Sequence, residues 1–457
     1  MKIISQLLET IKRTPEQAAL IEGNRKLTYR QLDEITQQVA NYLLNKGIQK
    51  NEVVTVETAD RFEAICLMIG IVRAGGAYCV VPMDYPESRK QKMRAKINAV
   101  LQLHSLQEIG DEQRNADKIN SEREEDSLLY IIFTSGSTGE PKAVGIQDKA
   151  IEKIVSHAPF YEGKVIGQFA PLEFDASIYE VFGGLLNGLT IQIVYKDDSL
   201  DTDIIPDLFE ELDMVFLTTR LFNLYVDECP TAFQKLSLVL TGGERGSLPH
   251  LKEAGRYCRV MHVYGPTETT VFATSYEIHG KEQELPIGRS FANSGKLLIL
   301  NEAGEVVNKL GEQGELYIHD GGLMKGYIGD PTATEKVMTR FENRVFYRTG
   351  DIVYQNEENE LVYIERKDRQ VKVSGFRIEL GEIEKNAKAF GLEKDCLAHY
   401  DEKHLNLFIQ DLIDLSELRA YLKSKLPGYM IPVIKKVDYI PMNKNGKTDM
   451  EVMRWAN

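Results

Sequence analysis

Between about residues 27 and 271 the sequence alternates short apolar runs with stretches of helical periodicity, and this alternation limits the possible folds most. Residues 28–44 repeat apolar side chains at helical spacing. Residues 128–133 form a short apolar run stopped by glycine-rich sequence, the pattern of a strand buried on both faces. Further strands are predicted at 165–170, 190–195, 214–217, 236–241 and 260–264, with helical stretches between most of them. Strands separated by helix-length connections pair in parallel and take helices on their faces, so βαβ units and parallel sheets are expected.

The pattern changes after about residue 286. Runs at 296–300, 314–319, 345–347 and 361–364 read as short strands separated by turn residues. Residues 365–370 are polar and charged, which suits a hinge. Beyond them lie two helical stretches, 380–389 and 415–426, among further strands. The expectation is a large α/β N-terminal domain, residues 1–366, with parallel sheets, flanking helices and a β-rich subdomain from about 286 to 366. A small α+β C-terminal domain, residues 367–457, follows. At roughly 100–200 residues per domain, 457 residues accommodate that division. No internal repeat is visible, and the segment 107–126, rich in charged residues and Asn, reads as a solvated surface stretch.

The formal net charge of −14 argues against a nucleic-acid partner, which normally meets a basic patch. An anionic substrate would then be met by backbone dipoles and a few placed cations. The five cysteines are scattered without a CxxC pair, as expected of reduced thiols in a cytoplasmic protein. The first seventeen residues contain no signal-peptide core, and the longest apolar run, 64–72, is far short of the ~20 residues a membrane helix needs.

The most informative segment is Tyr130-Ile-Ile-Phe-Thr-Ser-Gly-Ser-Thr-Gly-Glu-Pro-Lys142. A buried strand runs into Thr134, Ser135, Gly136, Ser137, Thr138 and Gly139. Glycines allow successive backbone N–H groups to turn inward and form an anion nest; hydroxyls add donors, and Lys142 adds positive charge. The loop has neither Walker spacing nor a dinucleotide fingerprint. By its composition alone it reads equally as a phosphate cradle or a flexible surface loop.

The full string resembles the phosphate loop of the adenylate-forming superfamily of acyl-CoA synthetases, luciferases and nonribosomal peptide synthetase adenylation domains, and the resemblance extends over nearly the whole chain. Leu27-Thr-Tyr-Arg-Gln-Leu32 and Arg73-Ala-Gly-Gly-Ala-Tyr78 resemble its early motifs. Tyr264-Gly-Pro-Thr-Glu-Thr-Thr270 resembles the motif that places a tyrosine near the adenine and a glutamate on Mg²⁺. The resemblance thus implies ATP contacts for Tyr264, Gly265 and Thr267 and a metal ligand in Glu268. Thr241-Gly-Gly-Glu244 resembles the adenine-holding segment and implicates Gly243 and Glu244. Tyr347-Arg-Thr-Gly-Asp351 resembles the motif whose carboxylate holds the paired ribose hydroxyls, a role that falls to Asp351. The stretch from Glu365 to Glu384 resembles the hinge motif, with Arg366 and the hinge residue Asp368 matching and Glu365 replacing the usual glycine. Asn445-Gly-Lys447 resembles the loop that carries the catalytic lysine, Lys447.

Phe174-Asp-Ala-Ser-Ile-Tyr-Glu-Val-Phe182 resembles the segment of amino-acid-activating members in which an aspartate binds the substrate ammonium, here Asp175. The residue types alone also allow Asp175 to be a helix N-cap. Ala176, Tyr179, Leu217, Leu240, Gly242, Val263, Val271 and Phe272 match the side-chain selecting positions of peptide synthetase adenylation domains. That apolar lining suits isoleucine, leucine or valine. The resemblance implies ATP and Mg²⁺ as cofactors, formation of an aminoacyl adenylate, and transfer to the phosphopantetheine thiol of a carrier protein. With no carrier-like segment in the sequence, transfer in trans by a stand-alone enzyme is expected. The region between Ala389 and Pro441 is shorter than the family's usual C-terminal domain. Competing expectations are an acyl- or aryl-CoA ligase, a D-alanine:carrier-protein ligase, and a non-catalytic nucleotide-binding regulator.

Overall fold

The computed structural model describes residues 3–110, 123–136, 140–292, 295–373 and 375–441. The chain divides into two compact units. The larger comprises Met1–Met83, Lys96–Ile132 and Ala143–Lys367; the smaller comprises Asp84–Ala95, Phe133–Lys142 and the chain from Asp368 on.

The larger unit contains a long sheet with a parallel centre. Strands Ala18–Glu22, Thr190–Ile193, Val165–Gln168, Met214–Thr218, Leu238–Gly242 and Arg259–Tyr264 lie side by side, each parallel to the next. The last three are connected through helices Thr219–Glu228 and Leu248–Ala254, the βαβ arrangement expected from the alternating pattern. After Arg259–Tyr264 the sheet turns antiparallel through Thr274–Glu277 and Pro286–Ser290. It continues without a break into Leu361–Arg366, Arg344–Gln355, Gly314–His319 and Lys296–Leu300. The β-rich region is thus a hydrogen-bonded extension of the same sheet.

The strand expected at 345–347 is far longer, Arg344–Gln355, because Tyr347-Arg-Thr-Gly-Asp351 bulges instead of turning. Gly350 adopts φ 75°, and the pairing with Gly314–His319 slips register between Glu315 and Tyr317. One strand's extra residues are absorbed there while pairing resumes on both sides.

A second sheet in this unit was largely hidden from the periodicity, which pointed only to its strand Leu128–Thr134. Val53–Val56 pairs in parallel with both Ala77–Val80 and Leu101–Leu103, and Ala77–Val80 is followed by Leu128–Thr134. Val53–Val56, Ala77–Val80 and Leu101–Leu103 are three or four residues long and mostly apolar, too short to show a period. The apolar run at 64–72 is helix Arg61–Arg73, which is buried around most of its circumference rather than amphipathic. Among the described residues no helix is long and apolar enough to cross a membrane. Helix Tyr29–Asn45 starts in a capping box: Thr28 Oγ accepts from Gln31 N–H at 3.2 Å, and Gln31 Oε1 accepts from Thr28 N–H at 2.8 Å. All five cysteines are free thiols.

In the smaller unit, hairpin Gln370–Val373/Phe376–Glu379 leads into helix Leu380–Ala389. A sheet of Cys396–Tyr400, Leu405–Ile409 and Val433–Lys436 and helix Leu415–Lys423 complete it around a core that includes Ile383, Leu407, Leu418 and Leu422.

Candidate active site

Strands Met214–Thr218, Leu238–Gly242 and Arg259–Tyr264 end side by side, with Thr218 opposite Gly242 and Gly242 opposite Val263. The carboxyl ends of parallel strands are where α/β sheets bind ligands. Alternation along each strand decides which side chains share a face. Leu240, Val263, Val271, Phe272, Ala176 and Tyr179 belong to one core cluster. Leu217 does not: it packs on the opposite face with Val215, Phe209 and Phe222. The residue of that strand on the shared face is Phe216, whose ring centroid lies 5.5 Å from that of Phe272. The sequence reading was therefore one residue out of register here, and in a period-two element a one-residue slip exchanges faces.

Gly242 has no room for a side chain, since a Cβ would sit 2.0 Å from the Val263 carbonyl oxygen. The Tyr179 phenol is already used: its hydroxyl donates to the Phe160 carbonyl at 3.1 Å, and its ring meets Phe160 edge-on. This shared face is buried and mainly apolar.

Asp175 precedes a helix that is α over Ala176–Ile178, widens to a π turn over Tyr179–Gly183 and returns to α over Gly184–Asn187. Such turns insert an extra residue and recur at functional sites. The Asp175 backbone is itself helical and its side chain makes no capping hydrogen bond. This removes the N-cap explanation of the residue. Asp175 is half-buried, and its charge adds to the burial that raises the Tyr130 phenol well above its ordinary pKa.

Five residues along, Glu180 is fully buried and accepts from Phe169 N–H and Ala170 N–H, both at 3.1 Å, and from Gln168 Nε2 at 3.0 Å. It anchors the start of the loop that leads to Asp175. Burial pushes its carboxyl up to about 7, against the opposing effect of those hydrogen bonds. Sequence reasoning missed this residue; its signal was a lone glutamate inside an apolar run.

The second half of the site follows Arg259–Tyr264. Asp351 is buried within its strand, and both of its carboxylate oxygens are held: Oδ2 accepts from the Tyr264 hydroxyl and Oδ1 from Arg366 at 3.0 Å. Arg366 is fixed in turn by the Thr349 carbonyl at 2.9 Å. Burial, reinforced by Asp351, raises the Tyr264 phenol well above its ordinary pKa, so it remains a donor. Gly243, at the tip of Leu238–Gly242, has φ 92° and open space where a Cβ would stand, and half-buried Glu244 follows it.

Gly265 lies under the returning chain, where a Cβ would fall 2.6 Å from the Val271 oxygen. The intervening turn, Thr267–Thr269, carries Glu268 fully buried, with Oε1 accepting from the Tyr327 hydroxyl at 2.7 Å. Thr270 and Val271 then adopt φ 58° and 64°. Two successive β-branched residues in the left-handed region cost about 1–3 kcal/mol each and persist only where the surroundings enforce them.

In the smaller unit, Thr134, Ser135 and Gly136 are buried. Ser135 Oγ donates to the Arg377 carbonyl at 2.7 Å and accepts from Glu379 N–H at 3.0 Å. Gly136 admits no side chain, because a Cβ would sit 1.9 Å from the Glu140 carbonyl oxygen. Thr134 Oγ1 is buried with no hydrogen-bond partner among the described residues. Lys142 begins strand Lys142–Gln147 and is half-buried. Asp368 is exposed and its Oδ1 accepts from Gln370 N–H at 3.2 Å. Glu365, standing where the resemblance expects glycine, sits in strand Leu361–Arg366 opposite Ile352, without a left-handed φ. Ser137, Thr138, Gly139 and Lys447 lie outside the described residues.

Residues 7–328 match the family described as AMP-binding enzyme. Bacitracin synthase 1 of Bacillus licheniformis is 34% identical over 484 residues, covering 97% of this chain and 9% of that protein. Tyrocidine synthase 3 of Brevibacillus parabrevis is 32% identical over 476 residues, covering 96% of this chain and 7% of that one. The chain thus spans less than a tenth of the length of these curated relatives. Among solved structures, holo-PA1221, a nonribosomal peptide synthetase protein containing adenylation and PCP domains, superposes with TM-score 0.86 at 25% identity, over 99% of this chain and 84% of that one. The Vibrio cholerae adenylation domain AlmE, solved with glycyl-adenosine-5'-phosphate, shares the fold with TM-score 0.87 at 20% identity, over 99% and 97% of the two chains.

Proposed function

The chain belongs to the AMP-binding enzyme family, and from that premise we propose that it joins an amino acid to AMP and passes the aminoacyl group to the phosphopantetheine thiol of a carrier protein supplied in trans. The observation that carries the amino-acid reading is Asp175, a half-buried carboxylate with no capping bond at the start of a helix whose next residues face an apolar cluster. A carboxylate in such surroundings suits a cation that arrives with the substrate. The apolar face of Phe216, Leu240, Val263, Val271 and Phe272 suits a branched aliphatic side chain, with isoleucine, leucine and valine as candidates.

In the first half-reaction a carboxylate oxygen of the amino acid bonds to the α-phosphorus of ATP. The bond from that phosphorus to the bridging oxygen breaks, and pyrophosphate leaves with the electron pair. Little acid–base chemistry is needed, so the protein contributes positioning and charge stabilisation. Asp351 is assigned to the ribose hydroxyls, because a carboxylate accepts two at once and Arg366 and Tyr264 already fix its orientation. Tyr264, Gly243, Glu244, Gly265 and Thr267 are assigned to the base and its surroundings. Thr134–Gly136 with Lys142 are assigned to the phosphates, and the buried Thr134 hydroxyl, without a partner among the described residues, suits such a ligand.

Mg²⁺ bound through phosphates takes one or two protein carboxylates. Glu268 fits that requirement, being buried and fixed by Tyr327. When bound, the ion neutralises charge on the pyrophosphate. Lys447 is assigned to the carboxylate and α-phosphate oxygens. Asp368, where the chain passes from the larger unit into the last segment of the smaller one, is assigned to the hinge. In the second half-reaction the carrier thiolate bonds to the adenylate carbonyl carbon, the bond from that carbon to the phosphate oxygen breaks, and AMP leaves.

ATP–pyrophosphate exchange over the proteinogenic amino acids, their D-forms and the matching deamino acids tests this reading. Exchange with branched aliphatic L-amino acids is expected. Exchange confined to carboxylic acids without an amino group would refute it in favour of an acyl ligase, and exchange with D-alanine alone would point to a D-alanine ligase.

A further inference from the structure

The left-handed pair Thr270–Val271 lies between Glu268 and Phe272, so whatever enforces it acts on both halves of the proposed site. The loop from Asp320 to Met324 supplies much of the enforcement. Gly322 O accepts from Thr270 Oγ1 at 2.6 Å, and Met324 N–H donates to Glu268 O at 2.8 Å. Between that loop and the strained segment lies Lys153, whose side chain is 4% exposed and whose amine donates to the Thr269 carbonyl and, at 2.6 Å, to Asp320 Oδ2. The other oxygen, Asp320 Oδ1, accepts from Gly322 N–H at 2.8 Å. The packing is tight: a Cβ on Gly322 would lie 2.3 Å from Lys153 Cε and 2.8 Å from Thr269 O. Burying a Lys–Asp pair is poor value as stability, since an apolar pair of similar volume often does as well or better. Neither residue matched a motif that the proposed reaction uses.

We propose that Lys153 and Asp320 are a positioning pair that locks the Thr269 carbonyl, holds Thr270–Val271 left-handed, and so sets Glu268 and the Val271–Phe272 pocket wall in one fixed relation. The proposal rests on the adenylation reading and adds a determinant of side-chain selectivity that touches no substrate. Losing the lock frees the turn to relax, so turnover and selectivity fall together while nucleotide binding through Asp351 persists.

The test is Lys153→Met combined with Asp320→Asn, which leaves no unpaired buried charge and preserves an acceptor for Gly322 N–H. Gly322→Ala is the second variant; it crowds the same contact without changing any charge. Each is measured by thermal melting, AMP binding, and exchange kinetics with two aliphatic acids differing by one methylene. The expected result in either folded variant is AMP affinity within about twofold of wild type, kcat down at least about 30-fold with KM for ATP little changed, and the preference between the two acids reduced at least about fivefold. Wild-type kcat and preference in a folded variant would overturn the proposal. If the wild-type enzyme activates only deamino acids, the amino-acid reading fails, and the same comparison made on those acids still decides the positioning pair. A crystal structure of the variant supplies a readout independent of turnover: Thr270 and Val271 leaving positive φ supports the lock, and their staying in place overturns it.

Discussion

Replacing Asp175 with alanine tests the assignment on which the amino-acid reading depends. An unpaired buried ionic group typically costs 3–5 kcal/mol, and because Asp175 is only half-buried the lower end applies, about 3 kcal/mol. At about 1.4 kcal/mol per decade, KM for the amino acid should rise on the order of 100-fold. KM for ATP should stay within about twofold, because the ribose and base contacts are assigned to Asp351, Tyr264 and Gly243. The matching deamino acid, which brings no charge, should be used relatively better by the mutant. Stability provides the internal control. Removal of an N-cap would cost ~0.5–2 kcal/mol, but Asp175 makes no capping bond, so a change in the amino-to-deamino ratio is not explained by loss of a cap. The assay is exchange kinetics with both acids on wild type and mutant, alongside urea denaturation. An unchanged amino-to-deamino ratio, with or without a loss of stability, would refute the assignment.

Glu180 carries a folded pKa of about 7 against an ordinary value of 4.5, so the native state holds a proton that the unfolded state has released between those two values. Its contribution is therefore complete below about pH 4.5, declines as pH rises through about 7, and amounts to roughly 3 kcal/mol. Urea denaturation of Glu180→Gln across pH 4–8 should lack that part of the slope, and parallel curves for mutant and wild type would contradict the burial argument. Phe216→Ala should enlarge the pocket and shift preference toward bulkier side chains. Leu217→Ala, on the opposite face, should cost about 2–5 kcal/mol of stability and leave preference intact; exchange panels and melting curves separate the two. Lys447→Ala should lower adenylate formation by about 3 kcal/mol or more, comparable to losing one oxyanion donor, while sparing thioester formation from a pre-made adenylate. Equal loss in the two half-reactions would remove Lys447 from the adenylation step.

The residues assigned to the nucleotide, Thr134–Gly136, Glu268 and Asp351, were singled out as local strings that resemble the family's motifs. The parallel strands from 165 to 264 were legible because their apolar runs alternate with helices. The strands Val53–Val56, Ala77–Val80 and Leu101–Leu103 were not, because three or four residues are too few to show a period.

What only the tertiary structure decided are relations between distant segments. It placed Phe216 rather than Leu217 on the face shared with Val263 and Phe272, since the face depends on the absolute register of a strand that composition does not fix. It turned Tyr347-Arg-Thr-Gly-Asp351 into a bulge, because the neighbouring strand Gly314–His319 was there to resume pairing. It brought the Tyr264 hydroxyl to Asp351, and Lys153 to Thr269 and Asp320, across more than eighty residues of chain in each case. A sequence specifies donors and acceptors residue by residue. Which of them meet, and which backbone strain their meeting sustains, is settled only when the sheet closes and the desolvated groups must be satisfied together.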